Sequence, residues 1–249
     1  MPHTVPKLDI NMRCGDCPIR HRAICAYCEP PELDKLDDIK SYKTYQAGET
    51  IVWAGEEMPL IGSVVSGVAT LSRSLPDGRR QMVGLLLPSD FIGRPGRKVA
   101  PYDVVAANEV MVCHFRVAKF NNLIDETPAL ERRLLDMTMD ELESAREWML
   151  LLGRKTAREK IASMLVIFAR RGTEFSQETV GDGLRFEVPL TREAMADYLG
   201  LTIETVSRQF SALKKSGVIV MEDARHILVP DYVRMLNEAS DDSDGGFIT

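Results

Sequence analysis

Long hydrophobic runs are missing from this 249-residue chain: nowhere do about 18 apolar residues follow one another, the length a membrane-crossing helix needs. The opening MPHTVPKLDI also lacks the apolar core of an export signal, so a cytoplasmic location is expected. Internal repeats and low-complexity runs are absent, and a composition 45% hydrophobic and 27% charged excludes a disordered or collagen-like chain. There is no excess of positive charge, since 31 Lys and Arg face 37 Asp and Glu for a net charge of -6. That balance excludes a protein that coats nucleic acid by bulk charge. No polar constellation suited to catalysis stands out, so an enzyme is not expected.

The chain is long enough for two domains, at roughly 100–200 residues each. Its charge is uneven: residues 154–234 hold 13 Lys and Arg against 11 Asp and Glu, while 235–249 hold four acids and no base. A regulator that touches few phosphates needs a basic face only where it makes contact. From about 40 to 118, short β-rich runs (51–53, 61–71, 81–87, 104–106 and 110–115) alternate with glycines, the pattern of a sandwich, barrel or jelly roll. Pro76-Asp77-Gly78 reads as a hairpin turn.

After Pro128 the period becomes helical. Leu135, Thr138, Leu142, Ala145, Met149 and Leu152 form a nearly apolar seam on one long helix. The seam fits two arrangements equally, packing on the chain's own β domain or on a partner helix, and Trp148 and Leu151 beside it fit either. A second helix is expected over about 156–171, followed by a loop and a short strand within 173–187, and the Ser/Asp/Gly tail is expected to be mobile.

Residues 191–217 read TREAMADYLGLTIETVSRQFSALKKSG. Thr191 and Thr202 stand as N-caps, Gly200 supplies a left-handed turn, and Val206, Phe210 and Leu213 make a buried face. Two short helices about a glycine turn make a helix-turn-helix. Glu204, Ser207 and Arg208 share the exposed side of its second helix, and their types suit base reading: Arg for guanine O6 and N7, Glu for cytosine N4, Ser for either edge. The same Glu204 and Arg208 also have the spacing of an ordinary i, i+4 ion pair.

Four cysteines, Cys14, Cys17, Cys25 and Cys28, lie within fifteen residues, and Cys113 lies on an expected strand. Intracellular thiols stay reduced, so metal ligation is a better reading than disulfides. The segment 1–30 reads as a loop whose order comes from what it binds. A small zinc site would use the two Cys-x2-Cys pairs, although their seven-residue gap is short for a zinc module. An iron–sulfur cluster takes four thiolates from such a loop as readily, with a distant fourth ligand tying the loop down.

The stretch Tyr198 to Arg208, YLGLTIETVSR, resembles the recognition region of the CRP–FNR family of bacterial transcription regulators, and Glu204, Ser207 and Arg208 are similar to the set of its FNR branch. The resemblance covers nearly the whole chain. It implies an α+β fold: a cysteine-rich loop (1–30), a β-roll sensory domain (31–128), a dimerisation helix (129–155), a winged helix-turn-helix (156–235) and an acidic tail (236–249). It also implies a homodimer on double-stranded DNA at a site similar to TTGAT-N4-ATCAA, with Leu135, Leu142, Ala145, Met149 and Leu152 facing the partner helix. RNA polymerase is the implied protein partner, and the loop Pro76–Arg80 resembles the family's activating loop.

The FNR branch ligates an oxygen-labile [4Fe–4S] cluster with three N-terminal cysteines and one from the β-roll. Carried over, Cys14 and Cys17 match the first pair and Cys113 the remote ligand. The Cys-x2-Cys-x7-Cys spacing resembles the FnrL type found in alphaproteobacteria, which makes Cys25 the third ligand and Cys28 a spare thiol. Cyclic-nucleotide members place an Arg-Ser or Arg-Thr pair after the glycine-rich turn. Residues 93–103 lack it, so Arg94 and Arg97 read as solvated surface.

Overall fold

The computed structural model describes residues 12–58, 60–74, 76–78, 80–173, 181 and 183–240. The expected mobile tail from residue 241, the loop 174–180 and residue 79 of the Pro76–Arg80 loop lie outside the described residues. The chain divides into two units, residues 1–71 with 85–136, and residues 72–84 with 137–249.

The first unit begins with a 3-10 turn at Cys14–Asp16 and a helix α1, Pro30–Asp37, which starts with two prolines behind a Glu29/Glu32 capping box. Strands β1 (Lys40–Tyr45), β2 (Thr50–Val52), β3 (Ile61–Ser66), β4 (Ala69–Ser74), β5 (Arg80–Leu86), β6 (Phe91–Ile92), β7 (Asp103–Ala106) and β8 (Val110–Phe115) follow, residues 72–84 of β4 and β5 being counted with the second unit. They form two four-stranded sheets, in the orders β1-β8-β3-β6 and β2-β7-β4-β5. Val64, Val110 and Val112 of one sheet share a core with Val52, Ala69 and Val104 of the other, the β-roll that the family resemblance implies.

The expected run 61–71 is in fact two strands, because Gly67 turns the chain at φ 80. Helix α2, Val117–Glu126, lies on the outer face of the first sheet, where Phe120 packs 4.9 Å from Phe115 and 5.8 Å from Phe91. The 27-residue helix α3, Pro128–Arg154, starts on a proline and is about 40 Å long at 1.5 Å per residue.

In the second unit, helix α4 (Ala157–Thr173) buries Ile161, Leu165 and Phe168. Strand β9 (Leu184–Glu187) leads to α5 (Arg192–Leu199) and α6 (Ile203–Lys215). Thr191 Oγ1 accepts from Ala194 N at 3.1 Å and Thr202 Oγ1 from Thr205 N at 3.2 Å, so both expected caps are made. Gly200 sits at φ 63 between the two helices. Strands β10 (Val220–Met221) and β11 (His226–Val229) pair with β9 as the wing, and α7 (Tyr232–Ala239) closes the unit against α4. Among the described residues no helix is long and apolar enough to cross a membrane.

Candidate cysteine site and nucleic-acid interface

The cysteine loop makes contacts of its own at both ends. Ile19, Ala23 and Ile24 are buried. Arg20 staples the far end, donating to Ala26 O at 2.8 Å and Cys28 O at 2.6 Å. At the near end Cys14 N donates to Asp37 Oδ1 at 2.9 Å. Lys40, the first residue of β1, donates to Asp37, to Met12 O at 2.6 Å and to Cys14 Sγ at 3.6 Å. These are charge-assisted bonds, stronger than neutral ones.

Cys113 is in the middle of β8. Val110 and Val112 point into the roll, so alternation turns Cys113 to the opposite face, yet it is only 6% exposed. Its partners across the ladder are Tyr42 on β1 and Ser63 on β3, and residues directly opposite in a sheet share a face. Both carry a buried hydroxyl oxygen; that of Tyr42 leans on the Cys17 thiol, and that of Ser63 has no hydrogen-bond partner. Buried polar atoms are rarely left so. A donor left over beside a thiol fits a group that accepts hydrogen bonds, as the sulfurs of a cluster do.

The thiols themselves converge. Burial pushes Cys113 well above its ordinary value, and charge on Cys14, Cys17 or Cys25 would push it further. Tyr42 is raised by burial and then by Cys113, Cys17 and Cys14. Burial also raises Cys17, and it takes Cys14 up to about 12, partly offset by Lys40, and Cys25 up to about 11. Cys28, up to about 12, is acted on by Cys25 and Glu32. All five thiols are free. Among the described residues no three Cys, His, Asp or Glu side chains are gathered closely enough for a single metal ion.

His114, beside Cys113, stacks on Tyr45 at 5.8 Å with its Nε2 3.2 Å from the Tyr45 hydroxyl. Burial lowers its pKa to about 4. It packs in the roll and is remote from the loop side of the sheet.

The loop is also fastened to the start of α3. Arg133 donates to Arg22 O and, at 3.3 Å, to Ala23 O. Tyr27 Oη donates to Asp136 Oδ2 at 2.9 Å, and the guanidinium groups of Arg132 and Arg133 lie 5.8 and 5.6 Å from the Tyr27 ring.

Further along α3 the seam faces outward. Leu135 is 61% and Met149 65% exposed, and Leu142, Ala145 and Thr138 are exposed too, while Leu152 is half-buried. Met139 and Leu150 enlarge the stripe. So long an apolar stripe on a surface marks an interaction site. Leu151 is instead buried and Trp148 stacks on Tyr198, so both serve their own chain.

On α6, Glu204, Ser207 and Arg208 are exposed together. Arg208 Nη2 leans on Thr205 Oγ1 at 3.4 Å. The Glu204 carboxyl is held below its usual range by its own backbone N–H and by Thr202. Each therefore has a neighbour other than its i, i+4 counterpart. The helix is seated by Arg192, whose guanidinium lies 3.3 Å from the Phe210 ring centre.

Residues 159–237 match the Crp-like helix-turn-helix domain and residues 42–127 the cyclic nucleotide-binding domain. The chain is 59% identical to the transcriptional activator protein FnrL of Cereibacter sphaeroides, over 98% of each chain. It belongs to the CRP–FNR family, in the FNR branch. A second relative is the nitrogen fixation regulation protein FixK of Bradyrhizobium diazoefficiens, 39% identical over 84% of this chain and 86% of that one. The solved structure of FixK2 from Bradyrhizobium japonicum superposes with a TM-score of 0.72 at 31% identity, covering 82% of this chain and 98% of that one. Members of this family are DNA-binding regulators of transcription and not enzymes. Arg20, Lys40, Tyr42, Ser63 and Tyr27 escaped the sequence reading, because each acts through a partner that only the fold brings near.

Proposed function

We propose that this CRP–FNR protein is a cytoplasmic, oxygen-responsive transcription activator that holds a [4Fe–4S] cluster on Cys14, Cys17, Cys25 and Cys113. What supports the reading is that the buried Cys113 lies near enough to Cys14, Cys17 and Cys25 to feel their charge, on the sheet face it shares with the Tyr42 and Ser63 hydroxyls. When bound, the cluster supplies a centre that oxygen degrades.

The chain's own residues do the rest. Lys40 offsets the negative charge of the thiolates, and Asp37 holds Lys40 and the Cys14 backbone in place. Arg133, Tyr27 and Asp136 pass the position of the loop to the start of α3. The outward stripe Leu135, Leu142, Ala145, Met149 and Leu152 meets its copy in a homodimer. Two α6 helices then present Glu204, Ser207 and Arg208 to a two-fold site similar to TTGAT-N4-ATCAA. RNA polymerase is the partner of the DNA-bound dimer.

Anaerobic purification followed by visible absorption and iron analysis tests this. The expected result is straw-brown protein with about four iron per chain that loses colour and DNA affinity together in air. Colourless protein with one zinc per chain, or protein whose DNA binding ignores air, would overturn it.

A further inference from the structure

The first helix of the helix-turn-helix is gripped at two adjacent residues by two separate parts of the second unit. Trp148 of α3 stacks on Tyr198 with ring centres 3.9 Å apart and planes at 19°. Gln81 of β5 donates through Nε2 to Asp197 O at 2.9 Å. The end of α5 is closed down at the same place, since a Cβ on Gly200 would lie 4.0 Å from Leu152 Cδ2. Tyr198 is buried, with its ring against Trp148 of α3. Helix α6 is fixed to α5 in turn by Arg192 lying flat over Phe210.

We infer that Trp148 and Gln81 are positioning residues that set the distance between the two recognition helices of the dimer, and so select DNA by the spacing of its half-sites. The inference rests on the two-fold reading proposed above. Trp148 lies one residue from Met149 of the dimer stripe, so the stack measures the helix-turn-helix off the two-fold axis by a short, rigid path. A dimer reads two half-sites about one helical turn apart. If α5 rocked freely, only the fraction of molecules with the right separation would bind, and the apparent affinity would fall in proportion. The same rocking would let the protein accept wrong spacings. Base readers on α6 are untouched by the grip, so the ranking of bases within a half-site is independent of it.

The experiment compares Trp148→Ala, Gln81→Ala and the wild type on DNA with spacers of three, four and five base pairs, and with single-base changes inside a half-site. Holoprotein is used, with the dimer confirmed by sedimentation. The expected result is that both variants bind the four-base-pair spacer more weakly and discriminate severalfold less between spacers, while base ranking within the half-site is unchanged. Gln81→Ala removes two hydrogen bonds of one side chain, to Asp197 O and to Met82 O, so it carries the test should Trp148→Ala misfold.

Fluorescence supplies a second readout. In a Trp53→Phe background, which removes the 57%-exposed Trp53, Trp148 is the sole tryptophan, and Tyr198→Ala should raise its quenching by acrylamide whereas Tyr198→Phe should not. Variants that keep the wild-type spacer profile overturn the inference alone. A wild type that binds all three spacers equally overturns the two-fold reading and the inference with it.

Discussion

The Tyr27 hydroxyl donates to Asp136 Oδ2 at 2.9 Å, which ties the cysteine loop to the long helix across 109 residues of sequence. Because the pair is exposed, it contributes only about 1 kcal/mol. Tyr27→Phe should therefore leave the anaerobic visible spectrum intact and weaken DNA binding by up to about tenfold. Titration of labelled DNA under nitrogen checks this, and an unchanged affinity would remove the contact from the coupling path.

Among the cysteines, Ser in place of Cys14, Cys17, Cys25 or Cys113 should abolish iron binding, whereas Cys28→Ser should keep it. Cys25 and Glu32 are the groups whose charge acts on Cys28, whereas Cys14, Cys17 and Cys25 act on Cys113. Iron content per chain after anaerobic isolation decides the matter. A Cys25→Ser protein with full iron would transfer the third position to Cys28.

Ala145 is exposed within the apolar stripe of α3. Ala145→Asp would bring two like charges together on the two-fold axis, where an unpaired charge in a packed seam is costly. Association should weaken by about tenfold or more, read by sedimentation velocity across protein concentration. An unchanged dimer would place the seam elsewhere.

Arg208→Ala should weaken binding by about 1–3 kcal/mol and relax discrimination at one guanine in each half-site, since a bidentate contact is lost while phosphate contacts remain. Lys214→Ala and Lys215→Ala, in the last turn of α6, should weaken all sequences alike and flatten the salt dependence. Affinities on matched and single-base-changed sites at two salt concentrations separate the two classes. Uniform loss in Arg208→Ala would make Arg208 a backbone contact.

The wing turn has its own pH signature. Asp223 accepts from the backbone of His226 and Arg225 at 2.8 and 2.7 Å, and these bonds, with the His226 side chain, hold its carboxyl down to about 2. A carboxyl lowered on folding adds stability above its ordinary value of 3.8 and loses it as pH falls through the lowered one. The side-chain carboxyl carbon resonance of Asp223 should have its main titration near pH 2. A midpoint near the ordinary 3.8 would show that the turn does not hold this carboxylate.

The sequence by itself determined the elements whose causes lie within a few residues. Thr191, Thr202 and Gly200 bound the recognition motif because a cap or a left-handed turn is a local requirement. The α3 stripe was legible because helical period is local too, but not which way it faces, since a monomer's own β domain would serve as well as a partner. The fold left it open to solvent. The strand β1, whose six residues are all polar but Tyr42 and Tyr45, and the helices α1, α2 and α7 escaped notice, as their burial depends on what packs against them. Spacing brought the four N-terminal cysteines forward, and the family resemblance preferred Cys14, Cys17 and Cys25 with Cys28 as an alternative. Only the β1-β8-β3 register put Tyr42 and Ser63 on either side of Cys113, and only the return of the loop over that face buried it. Likewise nothing near Trp148 in sequence announces Tyr198. Contacts between residues fifty or a hundred apart are fixed by packing and register, which one stretch of sequence does not contain.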